Sequence, residues 1–242
     1  MGAIVEVNCE TDFVANTDNF KNFCKNIAKH IALSNPTDVD ELMNQKFVDD
    51  ESKTITDLVS DATVSIGEKI SIRRFARYQT NCGVVETYIH MGGKIGVLVN
   101  LAVEGIEAGK VIELGKDVAM QIAAMNPAFL DKSDVSQETL DKEKEIQLAM
   151  MANDPKMAAK PDKVKEGIVM GKLGKYYEEN CLMQQAFVKE NKVSVEKHVA
   201  AVAKEVGGSI QIKGFYRFER GEGLEKKEEN FAEEIAKQLG QA

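Results

Sequence analysis

Apolar residues recur at Phe20, Phe23, Ile27, Ala28 and Ile31, with polar side chains filling most positions between them. The spacing i, i+3, i+7, i+8, i+11 turns one face of an α-helix toward a core, and the segment closes on Asn35-Pro36, where the proline stops it. The same spacing returns 91 residues later in Val111, Leu114, Val118, Ala119 and Ile122, and again closes on Asn-Pro, at Asn126-Pro127. Each predicted helix follows a β-branched run, AIVEVN from Ala3 and IGVLVN from Ile95, that predicts a strand. The chain is therefore duplicated.

A second self-similarity has the larger offset of 140 residues. Ile55, Val59, Ala62, Gly67, Ile70, Ile72, Phe75 and Arg77 reappear as Val195, Val199, Val202, Gly207, Ile210, Ile212, Phe215 and Arg217. This pattern predicts a helix, a glycine C-cap and the alternating strands ISIRRFARY and IQIKGFYRF. The offsets differ by 49 residues, so the second copy holds an insertion between Pro127 and Ser194. Within it, SQETLDKEKEIQLAMMAN and KVKEGIVMGKLGKYYEEN are rich in helix formers, and DPKMAAKP breaks the chain between them, which predicts a helical hairpin. Arms of about 18 residues would project on the order of 27 Å. Two strand-like runs around Gly92-Gly93 predict a β-hairpin joining the copies, and hence antiparallel sheets. In the tail, Phe231, Ile235 and Leu239 make a narrow apolar stripe that must dock on something.

The fold class is thus α+β: two duplicated subdomains with antiparallel sheets and packed helices, the second carrying a coiled-coil insertion, plus a C-terminal helix. The expected boundaries are 1–91 for the first subdomain and 92–224 for the second, with the insertion at about 136–184 and the terminal helix at 225–242.

Composition narrows the function. The net charge of −8 repels phosphate backbones and anionic membrane surfaces, which points to a protein partner and away from direct nucleic-acid or membrane binding. Cys9, Cys24, Cys82 and Cys181 show no CxxC spacing, and the amino terminus lacks a basic-then-apolar leader, so a reducing cytoplasm is the expected compartment. No apolar run approaches the roughly 18 residues that span a bilayer.

No catalytic pattern stands out. HExxH and Cys/His clusters with metal spacing are missing, so no metal or cofactor is expected. His198 falls at a core or edge position, His30 on a polar helix face, and His90 beside two glycines at the predicted hairpin turn, where structural and outward-presented readings both stand. The glycines of GKLGKYY (from Gly171) and GEG (from Gly221) read as turns or hinges, and Cys9 as a buried structural thiol. The chain is expected not to be an enzyme. VNCETDFVAN, from Val7, leaves a strand and sets Asp12 beside Phe13 in a predicted loop. The ring is either a plug folded into the core or a wedge held out for a partner, and composition alone leaves both open.

The order VEVNCETDFVANTDNFKNF, IGEKISIRRF, YIHMGGKIGVLV, LMQQAFVKE and GFYRFERGEGLEKKEENFAEE closely resembles the translation elongation factor Ts family, from about residue 3 to the end. The resemblance implies two similar α+β subdomains, the second interrupted by a coiled coil. It also implies nucleotide exchange on elongation factor Tu, with Thr11, Asp12, Phe13 and Val14 meeting the GTPase near its nucleotide and Mg²⁺ site. Ile66, His90 and Phe231 map onto further family contacts. A homodimer or higher assembly with the GTPase is compatible with this reading. Two departures are visible. The small helical, ubiquitin-associated-like module with which members usually begin is not among these residues, so reduced exchange is the expectation. Ala186 stands where the family commonly has proline, which implies a local loosening. The rival reading is a binding adaptor or chaperone-like scaffold that uses the coiled-coil arm and acts on no GTPase.

Overall fold

Residues 1–224 are described by a computed structural model; the predicted terminal helix, with Phe231, lies outside them. The first copy runs β1 (Gly2–Asn8), α1 (Asp12–Ala15), α2 (Asp18–Ser34), α3 (Val39–Asn44), β2 (Lys46–Phe47), β3 (Asp50–Thr54), α4 (Ile55–Ile66) and β4 (Ser71–Tyr78). The second runs β5 (Gly83–His90), β6 (Ile95–Glu104), α5 (Ile112–Met125), α6 (Gln137–Ala152), α7 (Pro155–Ala158) and α8 (Asp162–Asn180). It ends with β7 (Ala186–Phe187), β8 (Glu190–Ser194), α9 (Val195–Val206) and β9 (Ser209–Glu219).

The duplicated pattern is visible in the cores. Ile27 and Ile31 of α2 are fully buried against β1, β4 and α4, and Val118, Ala119 and Ile122 of α5 against β6, α9 and β9. Both helices end on an asparagine in the left-handed conformation, Asn35 (φ 51°) and Asn126 (φ 46°), so the amide residue closes the helix ahead of the proline. Gly67 and Gly207 do the same for α4 and α9.

β1 pairs antiparallel with β4, and β5, β6 and β9 form an antiparallel sheet in that order. β5 falls within the residues 1–91 expected for the first subdomain, yet it pairs with β6. The two sheets meet face to face through Ile4, Ala76 and Leu98, with Val85 and Phe218 packed around them. At Gly96 the packing is close: a Cβ there would sit 2.8 Å from Ile4 Cδ1 and would have to push that methyl aside. One edge of the contact carries a charge cluster. Glu6, 8% exposed, accepts from Arg73 Nη1 at 3.0 Å and Arg74 Nε at 2.6 Å, and Arg74 also reaches Glu222 at 3.0 Å. The Arg74 guanidinium lies 4.4 Å from the centre of the Phe218 ring. Burial pushes the Glu6 carboxyl up, but hydrogen bonds from Arg73, Arg74 and Asn8 outweigh it and leave it below the ordinary carboxylate range.

Two polar clasps repeat with the duplication. The reading of His30 as a surface residue is corrected here: it is fully buried, with Nε2 2.9 Å from Gln45 Oε1 while Val48 N donates to Nδ1 at 3.3 Å. Because Nδ1 accepts that proton, Nε2 carries the ring hydrogen and donates to Gln45. In the second copy Gln121 takes the place of His30. Its Oε1 accepts from Val188 N at 2.8 Å and its Nε2 donates to Gln185 Oε1 at 3.2 Å. Each clasp pins a β-hairpin, β2–β3 or β7–β8, to a central helix without leaving a buried polar group unpaired. Ala186 opens β7, and its carbonyl accepts from Gln121 Nε2 at 3.1 Å, so the site holds its place in the clasp.

The insertion is a helical hairpin in which α6 packs on α8, with Met151, Val169 and Leu173 buried. Its ends are stitched together: Ala128 N and Phe129 N donate to Asn180 O at 2.9 and 3.0 Å, and Leu182 N donates to Phe129 O at 2.9 Å. Gly171 and Gly174 are not in a turn, as the sequence predicts, but inside α8, which burial of Val169 and Leu173 on the opposite face holds helical. Gly167, Gly171 and Gly174 meet nothing within 4 Å of an added Cβ. Gly171→Ala is therefore expected to stabilise the arm by about 0.5–1 kcal/mol, read as slower amide hydrogen exchange along α8. GEG, by contrast, is a turn, with Gly221 (φ 79°) and Gly223 (φ 71°) both left-handed. Among the described residues no helix is long and apolar enough to cross a membrane.

Candidate recognition surface

The stretch after β1 forms one helical turn where the sequence predicts a loop. Thr11 is its N-cap, accepting from Val14 N at 3.3 Å, and Asn16 closes it by donating from Nδ2 to Asp12 O at 2.8 Å. Thr17 then caps α2 through Phe20 N at 3.3 Å, so two threonine caps fix the chain on either side of Phe13. Asp12 caps neither helix; it is exposed in the first turn of α1.

Glu68, just past α4, braces the turn. Its Oε2 accepts from Glu10 N at 3.0 Å and Thr11 N at 2.9 Å, and its Oε1 from the Thr11 hydroxyl at 2.5 Å. That hydroxyl, followed by the backbone donors, holds the Glu68 carboxyl below the ordinary range, so it is ionised and accepting at neutral pH. Glu68 escapes sequence reading because it lies 57 residues from Thr11. Its place as the glutamate of IGEKISIRRF was the available signal.

The brace divides the turn into two faces. Val14 packs inward with Ile66, Cys9 and Cys24 around Phe20, Ala62 and Ile70, whereas Phe13 is 84% exposed. The ring is not a core plug. Ile66 is half-buried beneath the turn, so the structure brings it together with Thr11–Val14. Burial pushes the Cys9 thiol up and the Cys24 thiol up to about 12, leaving both protonated and poor nucleophiles at neutral pH.

His90 ends β5 and is exposed, its ring stacked on Tyr88 with centroids 5.7 Å apart and Nδ1 3.1 Å from the Tyr88 hydroxyl. The pair borders a shallow cavity of about 360 Å³ lined also by Met120, Ala124 and Val188. The hairpin turn that follows faces the end of α1: a Cβ added to Gly92 would lie 3.9 Å from Oδ1 of Asn16, the residue that closes α1. His90 and Phe13 thus belong to neighbouring turns. His198 is half-buried and stacks on Phe187, centroids 4.0 Å apart, as an edge-of-core residue. Among the described residues no group of three or more His, Cys, Asp or Glu side chains is placed to hold a metal ion.

A duplicated α+β core with a helical hairpin inserted in its second copy and an aromatic ring held outward on a braced turn defines the class of protein. Residues 10–222 match the family described as Elongation factor TS. The chain is 49% identical over 239 residues to "Elongation factor Ts" of Clostridium kluyveri (strain NBRC 12016), covering 99% of this chain and 76% of that protein. It is 45% identical over 240 residues to "Elongation factor Ts" of Clostridium botulinum (strain Loch Maree / Type A3), with the same coverage of 99% and 76%. The chain belongs to the elongation factor Ts family, which places it among the factors of protein biosynthesis.

Proposed function

We propose that this chain is a guanine-nucleotide exchange factor for elongation factor Tu and that it works by shape and without covalent chemistry. The observation that carries the reading is Phe13, exposed on a turn that Thr11, Thr17 and Glu68 hold rigid. A rigid apolar ring inserts into a partner without first losing conformational freedom, which is how small anchors contribute much of a binding energy.

Inserted between helices of the GTPase, the ring displaces the elements that hold Mg²⁺ and the phosphates. Loss of the ion removes the charge bridging nucleotide and protein, and GDP leaves faster. The coupling is reciprocal: whatever factor the chain takes from GDP affinity, GDP takes from the affinity of the chain, at about 1.4 kcal/mol per tenfold. Ile66 supports the turn from below, and His90 with Tyr88 makes a second contact beside it.

The test is release of a fluorescent GDP from elongation factor Tu with and without the full chain. Acceleration that saturates with chain concentration is the expected result. The arm exposes Ile146, Met150 and Met170, which favours the adaptor reading if the chain binds the GTPase and leaves GDP release unchanged.

A further inference from the structure

Among the described residues, three other than glycine have a positive φ: Asn35, Asn126 and Met91. The asparagines are helix caps, where a short amide suits the left-handed conformation. Met91, at φ 50°, has no such reason. In that conformation its Cβ crowds the following carbonyl, and at 59% exposed the side chain buries little to offset the strain. Its successors in the turn, Gly92 (φ 65°) and Gly93 (φ 99°), are glycines, which accept this backbone freely.

Met91 follows His90, and the next residue of its turn, Gly92, faces Asn16, the residue that closes the Phe13 helix, with a Cβ there 3.9 Å from Asn16 Oδ1. An exposed strained residue beside a recognition surface marks a side chain held for use, and methionine is the unbranched, polarisable residue that fills irregular apolar pockets. We infer that Met91 is a second apolar anchor for the GTPase, entering a pocket beside the one that takes Phe13. This rests on the exchange-factor reading and extends its surface continuously from α1 across the β5–β6 turn.

Met91→Gly and Met91→Gln are compared in the full chain by melting temperature and by GDP release from elongation factor Tu at subsaturating chain, with Phe13→Ala alongside. Met91→Gly relieves the backbone strain and removes the anchor, so its melting temperature is expected to rise by about 2–4 °C while release slows about fivefold or more. Met91→Gln keeps the strain and the length but adds a polar end, so release slows at an unchanged melting temperature. A melting temperature that falls in Met91→Gly overturns the strain argument. Release at the unaltered rate in both Met91 variants, with Phe13→Ala slow, overturns the anchor alone. If Phe13→Ala is also without effect while the unaltered chain accelerates release, the Phe13 wedge falls with the anchor; if the unaltered chain does not accelerate release, the exchange-factor reading itself falls.

Discussion

Phe13→Ala is expected to slow GDP release from elongation factor Tu at least tenfold while changing folding stability by less than about 0.5 kcal/mol. The two outcomes separate because the ring is 84% exposed and the turn beneath it is held by bonds that do not involve it. Surface substitutions clear of caps and cores fall within about ±0.5 kcal/mol, whereas a truncated central anchor costs about 2 kcal/mol or more of binding. The measurements are a thermal melt and a release trace on the same preparation. A core phenylalanine would instead lose about 3–5 kcal/mol of stability, with exchange falling only in proportion to the unfolded fraction. That pattern would remove Phe13 from the surface.

Glu6→Ala carries the largest expected effect on folding. The carboxylate is the shared acceptor for Arg73 and Arg74 at the edge where the two sheets meet, and its removal takes one acceptor from each guanidinium, leaving Arg73 only the Glu222 carbonyl and Arg74 the Glu222 carboxylate and Glu219 carbonyl. Breaking a buried pair from one side costs about 3–5 kcal/mol; the lower end applies, because the Arg73 and Arg74 side chains keep 24% and 30% of their surface in water. For a chain of this size about 3 kcal/mol corresponds to a fall of about 6–12 °C in melting temperature. The pH dependence has a definite sign. Folding lowers the Glu6 pKa from its ordinary 4.5, so its contribution is fully present above that value and is lost as pH falls through the lowered one. The acid limb of stability should therefore be shallower in Glu6→Gln than in the unaltered chain. Equal limbs would show that the carboxylate is not ionised in the fold.

The helices and the insertion were legible because periodicity reports which side of an element is apolar, and duplication supplied each reading twice. Ile27 and Val118, Gly67 and Gly207 needed nothing beyond spacing. His30 could have been read as well, since it follows Ile27 by three residues and has Gln121 at the matching place in the second copy; a polar residue repeated on an apolar flank signals a buried clasp. The brace from Glu68 to Thr11 and the Glu6 cluster were not legible. Each joins residues nearly sixty or more positions apart, and an acidic side chain at such a position looks the same in sequence whether it faces water or a guanidinium. For Phe13, composition leaves plug and wedge both open and only the family resemblance points to the wedge, because the choice depends on which face of α1 its cap turns inward, and that is Val14.

The stitched ends of the insertion make it an interchangeable cassette. With Ala128, Phe129 and Leu182 already bonded across its mouth, the core sees a closed gate whatever lies beyond it. Doubling the length of a flexible loop costs only about 0.6 kcal/mol of closure entropy, and here the closing bonds belong to the core rather than the loop. Selection can thus lengthen, shorten or replace the hairpin while the surface around Phe13 keeps its geometry.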